Sequence, residues 1–309
     1  MASGLFWMMR HLERCENTAR LVEAGYRMSL TRSRKQESEW VSVLSTVGSR
    51  EAYLAKHGSV HFDTVIEFMM VDRDNPVSLL SLLMAARENA RMTRTSLTKD
   101  VWEGMNEAWL SLHEKLKTQD YKEDLPGLIA DICRNTAHIR GAINGTMLRT
   151  DIYRFLQLGL LIERADNTAR ILDTKYYVLL PSSASVGSSL DNVQWEMILR
   201  SASAASSFSW LYGGEVGSAR IVDFLIQDLR LPRSIAYCYG EITNVLSELE
   251  KEYGACPPAH DLAAAHAALI TQTPSQMIIE TGLHEFLVDF IARNSQLSAA
   301  IERDYRFYA

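Results

Sequence analysis

Two nine-residue stretches carry acids, an amide and guanidiniums in the same order: Leu12 to Arg20 reads LERCENTAR, and Ile162 to Arg170 reads IERADNTAR. Glu13, Arg14, Glu16, Asn17 and Arg20 are the candidates for chemistry in the first, and Glu163, Arg164, Asp166, Asn167 and Arg170 hold the matching places in the second. On a helix, side chains three or four residues apart meet one turn away, so position 13 can face 17 and position 16 can face 20. Carboxylates placed in this way can serve a cation or a proton, with Glu13 and Glu163 as the candidate acid or base. Guanidiniums offer paired N–H donors to a planar carboxylate or phosphate. The same groups also suit a buried network that fixes how helices pack, because a buried charge must be paired and hydrogen-bonded. The residues alone leave both readings open.

A third stretch, ARENARMTR, brings Arg87, Glu88, Asn89 and Arg91 into a related order. These residues either complete a cluster between helices or form an exposed, salt-bridged face of the kind that contributes little to stability. Asn135, Thr136, Ala137 and Arg140 give a fainter fourth echo. Arg200, five residues beyond Trp195, and Arg233 complete the ligand-binding candidates; Pro232 is suited to start the helix that presents Arg233. Arginines beside every acid favour an amino-acid or peptide carboxylate, or a phosphate, over a bare metal. The di-iron bundle pattern asks for ExxH motifs, and none lies near these acids. No cofactor is expected, and a carboxylate-bound magnesium or manganese ion is the lesser alternative. A dinucleotide GxGxxG fingerprint, a phosphate loop, a GxSxG elbow and an HExxH helix are all absent.

Long helices must position these groups. Leu5, Met8, Leu12, Cys15, Ala19, Val22 and Tyr26 form an apolar stripe, matched by Phe155, Leu158, Ile162, Ala165, Ala169, Leu172 and Tyr176, with Leu30 and Leu180 keeping phase near the ends. Glu16 and Asp166 lie near the apolar edge, and Glu13 with Asn17 and Arg20 occupies an adjoining polar face. Ser3 is the expected cap of the first helix, followed by the turn TRSRKQ. One helix is then expected through EWVSVLSTVGSREAYLAKHG and a shorter one to Met70. After the interruption VDRDNP, Pro76 begins the next helix. Helical rhythm returns over 100–118, through LIADICRNTAHIRGAINGTML, and from Asp151 to Leu180. It continues from Asp191 through a break at Gly213 and Gly214 and another from Gly254 through Pro258, and then to the end of the chain. No stretch alternates as strands do, so the fold class is all-α, a multi-helix bundle with two internally similar long helices and two helical subdomains. Pro181 and the following SSASVGSS form the best linker. The expected regions are 1–180, carrying the repeated motif, and 190–309, with one continuous domain as the alternative.

A formal charge of −6 over 309 residues gives no footprint for nucleic acid. Four cysteines, with no close CxxC or cysteine–histidine spacing, suggest no disulfide framework and a reduced, cytoplasmic setting. No signal peptide or integral membrane segment is expected. Apolar helix faces leave self-association open.

GLFWMMRHLERCENTARLVEAGYR, ARENARMTR, FLQLGLLIERADNTARILDTKYY, WEMILRSASA and LPRSIAYC, taken in order, resemble the bacterial alpha-E family, the domain of unknown function numbered 403. The resemblance spans most of the chain and implies an α-helical fold named for its glutamate-containing motifs. It also implies association with circularly permuted ATP-grasp proteins and transglutaminase-like proteins, and hence a system that makes, modifies or cleaves peptide or amide bonds. On that basis the expected role is a noncatalytic accessory or substrate-binding protein. The alternatives are an enzyme of amide-bond formation or hydrolysis, and a purely structural scaffold. Asp166 departs from the pattern of the first copy, a shorter acid standing where Glu16 stands there.

Overall fold

The computed structural model describes residues 1–31, 36–179, 189–213 and 217–307, and these residues form fifteen α-helices and no strand. The middle of the TRSRKQ turn, the linker after Pro181, Leu180 and the Gly214 break lie outside the described residues. The chain separates into two compact units, Met1–Leu160 and Leu161–Ala309.

The first unit opens with α1 (Ala2–Thr31), which packs against α5 (Leu79–Met92) and α7 (Leu125–Thr146). Helix α6 (Lys99–Thr118) lies between α5 and α7 in its contacts. Ser3 falls inside α1 rather than at its cap, and Leu30 is exposed, so the apolar phase of α1 ends before its last turn. The single helix expected over 39–58 is two, α2 (Gln36–Thr46) and α3 (Arg50–His57). They part at Gly48, whose φ of 73° is a left-handed conformation that an L side chain rarely adopts. Helix α4 (Phe62–Met70) follows.

Pro76 does not open α5. Ser78 caps it, its hydroxyl accepting the Ser81 N–H at 3.2 Å and so satisfying one of the donors left over at a helix start. Asp124 caps α7 likewise, accepting from the Gly127 N–H at 2.9 Å. Helix α8 (Asp151–Leu179) begins in this unit, where Gly159 meets α1: a Cβ there would lie 2.2 Å from the Phe6 carbonyl oxygen. Only glycine permits that backbone approach.

The second unit takes the rest of α8. It continues with α9 (Ser189–Ser201), α10 (Ala205–Tyr212), α11 (Ser218–Ile226), α12 (Ile235–Tyr253), α13 (Pro258–Gln272), α14 (Ser275–Thr281) and α15 (Leu283–Asp304). Asp191 falls inside α9, and the run expected as one helix from there breaks between α9 and α10, where Ser203 turns left-handed at φ 54°. Helix α13 packs against both α12 and α15.

The turn that feeds α12 shares several bonds with the turn that feeds α5. Asp72 Oδ1 accepts the Asp74 N–H at 3.0 Å, and Asp228 Oδ1 accepts the Arg230 N–H at 2.8 Å. The Ser78 N–H reaches the Asn75 carbonyl, and the Ser234 N–H reaches the Leu231 carbonyl. Ser234 then caps α12 by accepting from Tyr237 at 3.0 Å. Arg233 therefore precedes the cap and is not presented by the helix: Pro232 belongs to the turn, and the serine ends it.

Candidate functional site

Helix α1 turns its stripe inward, with Leu5, Met8, Leu12, Cys15, Ala19 and Val22 buried. Glu13, Glu16 and Asn17 are buried with them. Glu13 and Asn17 thus lie deeper than a polar helix face, because α7 crosses that face and brings counter-groups to it. Arg20, one turn along α1, donates from Nε and Nη2 to Glu16 Oε1 at 3.0 and 2.9 Å. From α7, Thr136 donates to Glu16 Oε2 at 2.9 Å, and Arg140 Nη1 closes on the same oxygen. Arg140 also lies 3.3 Å from Glu13 Oε2.

Both oxygens of Glu16 are therefore engaged, one by Arg20 and the other by Thr136 and Arg140. Burial opposes the charge on Arg20, but its attraction to Cys133 and Glu16 and its bond to Glu16 hold its pKa above the ordinary arginine value. Burial pushes the Cys15 and Cys133 thiols up, which leaves them weak nucleophiles.

Helix α8 buries the equivalent stripe, Phe155, Leu158, Ile162, Ala165, Ala169 and Leu172, together with Glu163, Asp166 and Asn167. Within the second unit, Asp166 Oδ2 accepts from Arg170 Nε at 2.6 Å, a bond within one helix. Other groups of α8 bond to the turn before α12 and to α15. Thr168 donates to the Arg233 carbonyl at 2.7 Å, and Arg164 reaches the Pro232 carbonyl at 3.4 Å. Asn294 of α15 donates to the Ile162 carbonyl at 3.1 Å and accepts the Tyr239 hydroxyl at 3.0 Å. Burial and the nearby Asp166 charge both raise the Tyr239 phenol, so it stays a neutral donor. Farther along α8, Asp173 lies 2.6 Å from His284 Nδ1.

Of the remaining candidates, Arg233 meets the second motif through its carbonyl, whereas the α5 residues and Arg200 lie elsewhere. Arg91 donates to Glu88 at 2.9 Å on an exposed face of α5. Arg87 bonds Asn106 at 3.1 Å with its guanidinium 5.5 Å from the centre of the Trp109 ring, and Asn89 bonds the Ala85 carbonyl. Arg200 pairs with Glu196 in the open, whereas Trp195 and Arg233 are buried.

Four important groups carried little sequence signal. Arg140 and Thr136, one turn apart on an otherwise apolar face of α7, were legible only as the faint fourth echo. Asn294 and Tyr239 lie outside every repeat. One close cysteine–histidine spacing does exist, contrary to expectation: Cys256 and His260 are four residues apart, and their side chains lie together with Glu250.

The Alpha-E family model, described as a predicted alpha-helical domain with a conserved ER motif, matches residues 1–306. Curated relatives include an uncharacterised protein of Mycobacterium bovis and two of Mycobacterium tuberculosis, each 22% identical over 321 residues covering 94% of this chain and 34% of the relative. The chain thus spans about a third of the length of the curated relatives it matches. No solved structure matches it. Among the described residues, no helix is long and apolar enough to cross a membrane.

Proposed function

The chain belongs to the Alpha-E family, and we propose that it is a noncatalytic helical accessory module whose acid–arginine clusters latch its motif helices. The observation that carries this reading is the state of Glu16. It is buried, with Arg20 on one oxygen and Thr136 and Arg140 on the other. Two guanidiniums and a hydroxyl offset the cost of burying its charge. Taking up a substrate proton or a magnesium ion would require breaking bonds that offset its desolvation.

The matching turns before α5 and α12, with the repeated motif on α1 and α8, support a further reading in which the two units are versions of one helical design. The greater length of the relatives supports a module that works beside other domains. The resemblance names the partners to test first, circularly permuted ATP-grasp and transglutaminase-like proteins, within a system acting on peptide or amide bonds. The side chains of Arg20 and Arg170 stay partly exposed, which supports an amino-acid or peptide carboxylate as the ligand class.

The test is to assay the purified chain, alone and with an ATP-grasp partner, for ATP-dependent amide formation and for amide hydrolysis. The chain alone should be inert and should raise the partner's turnover. Turnover by the chain alone, lost in Glu163→Gln while helicity and unfolding midpoint stay unchanged, would establish the enzymatic alternative instead.

A further inference from the structure

We propose that Glu250, Cys256 and His260 form a zinc-type metal site on the second unit, with a fourth coordination position open. Their ligand atoms, a carboxylate oxygen, a thiol sulfur and a ring nitrogen, all lie within 4.8 Å of one another. Glu250 Oε2 and His260 Nδ1 are already 3.7 Å apart. Donors around a tetrahedral zinc ion, with bonds of about 2.0 Å to nitrogen or oxygen and about 2.3 Å to sulfur, stand roughly 3.5 Å from each other. Small side-chain rotations would close the set on an ion.

The chain is built so that these three groups meet. Glu250 lies in the last turn of α12, which ends at the left-handed Gly254. Pro257 and Pro258 stiffen the connection that carries Cys256, and Pro258 opens α13, placing His260 in its first turn. The start of α13 is in turn tied to α15: the Ala259 N–H donates to Asp304 Oδ2 at 2.8 Å.

The histidine ring is oriented independently of the cluster. Its Nε2 lies 3.0 Å from the Tyr305 hydroxyl, which leaves Nδ1 facing Glu250. Metal-bound imidazoles are held in this manner, with the second nitrogen engaged by a neighbouring polar group. Glu250 also differs from the motif acids, because no lysine or arginine among the described residues pairs with it. Thiolate with imidazole selects zinc or cobalt over magnesium or calcium, for which all-oxygen sets are preferred.

The experiment is a cobalt(II) titration of the chelator-treated, reduced full chain, followed by zinc displacement. The wild type should bind a single equivalent with an intense thiolate-to-cobalt charge-transfer band in the near ultraviolet. Zinc should abolish the band and raise the thermal unfolding midpoint. Cys256→Ser, at an exposed position and with helicity checked by circular dichroism, should lose the band and the midpoint shift. Tyr305→Phe, a change to a positioning residue, should keep the band and weaken binding about tenfold. Absence of the band in the wild type would overturn the proposal, as would its persistence in Cys256→Ser.

Discussion

The two motif helices carry nearly the same nine residues, yet the acids at positions 16 and 166 are engaged differently. In the first unit the acid at position 16 is long enough to serve its own helix and α7 together, so the α1–α7 contact is made by charge. In the second, the shorter Asp166 spends its bond on Arg170 of the same helix, and α15 is joined beside the motif by the Asn294 amide and the Tyr239 phenol. The repeated motif therefore does not fix its own role. The helix packed across it decides whether the acid becomes an interhelical latch or an intrahelical brace.

The largest effect should come from Arg140→Met, which leaves Glu13 and Glu16 buried beside a lost cation. Breaking a buried pair from one side costs about 3–5 kcal/mol, measurable by urea unfolding of the full chain. Asn294→Leu in the second unit should cost less, about 1–3 kcal/mol, since it strands neutral groups. Asp166→Asn should cost about 0.5–1 kcal/mol, because the partner Arg170 is partly exposed and water replaces it. If Asp166→Asn equalled Arg140→Met, the contrast between latch and brace would fail.

Acid should separate the units as well. Burial, with Arg293 nearby, lowers the pKa of His266 from 6.5, so the folded second unit resists a proton that the unfolded chain accepts. Stability of that unit is thus complete above about pH 6.5 and falls as pH drops below it, until the depressed folded value is passed. In the first unit the bond from Lys115 lowers Asp131 from 3.8, so that contribution is present above this value and is lost only as pH falls through the lower folded one. Hydrogen exchange followed by mass spectrometry between pH 7 and 5 should show protection falling in the second unit first, with His266→Gln removing the effect. Equal loss in both units would contradict it.

Much of this was legible in the chain. The apolar stripes of α1 and α8 follow directly from helical spacing, and the stripe residues from Leu5 to Val22 and from Phe155 to Leu172 are buried, whereas Tyr26 is half-buried and Leu30 exposed. The breaks at Gly48 and Ser203 were missed because the apolar rhythm carries across them while the backbone reverses. The burial of Glu13 could not be read from α1 alone, since the helix that covers it lies more than a hundred residues away, and its partner Arg140 looks like any surface arginine. Nor could spacing distinguish Glu88 and Arg91, which face water, from Glu16, which is buried, and Arg20, which is only partly exposed. A helix wheel gives direction within one helix, whereas burial depends on the neighbour.

The measurement that bears most directly on the latch is a double-mutant cycle on Glu16→Gln and Arg140→Met, read by urea unfolding. The interhelical latch predicts that the double variant is little worse than either single one, a coupling of at least about 2 kcal/mol. Costs that add to within about 0.5 kcal/mol would mean that the two groups act independently, and the latch would not exist.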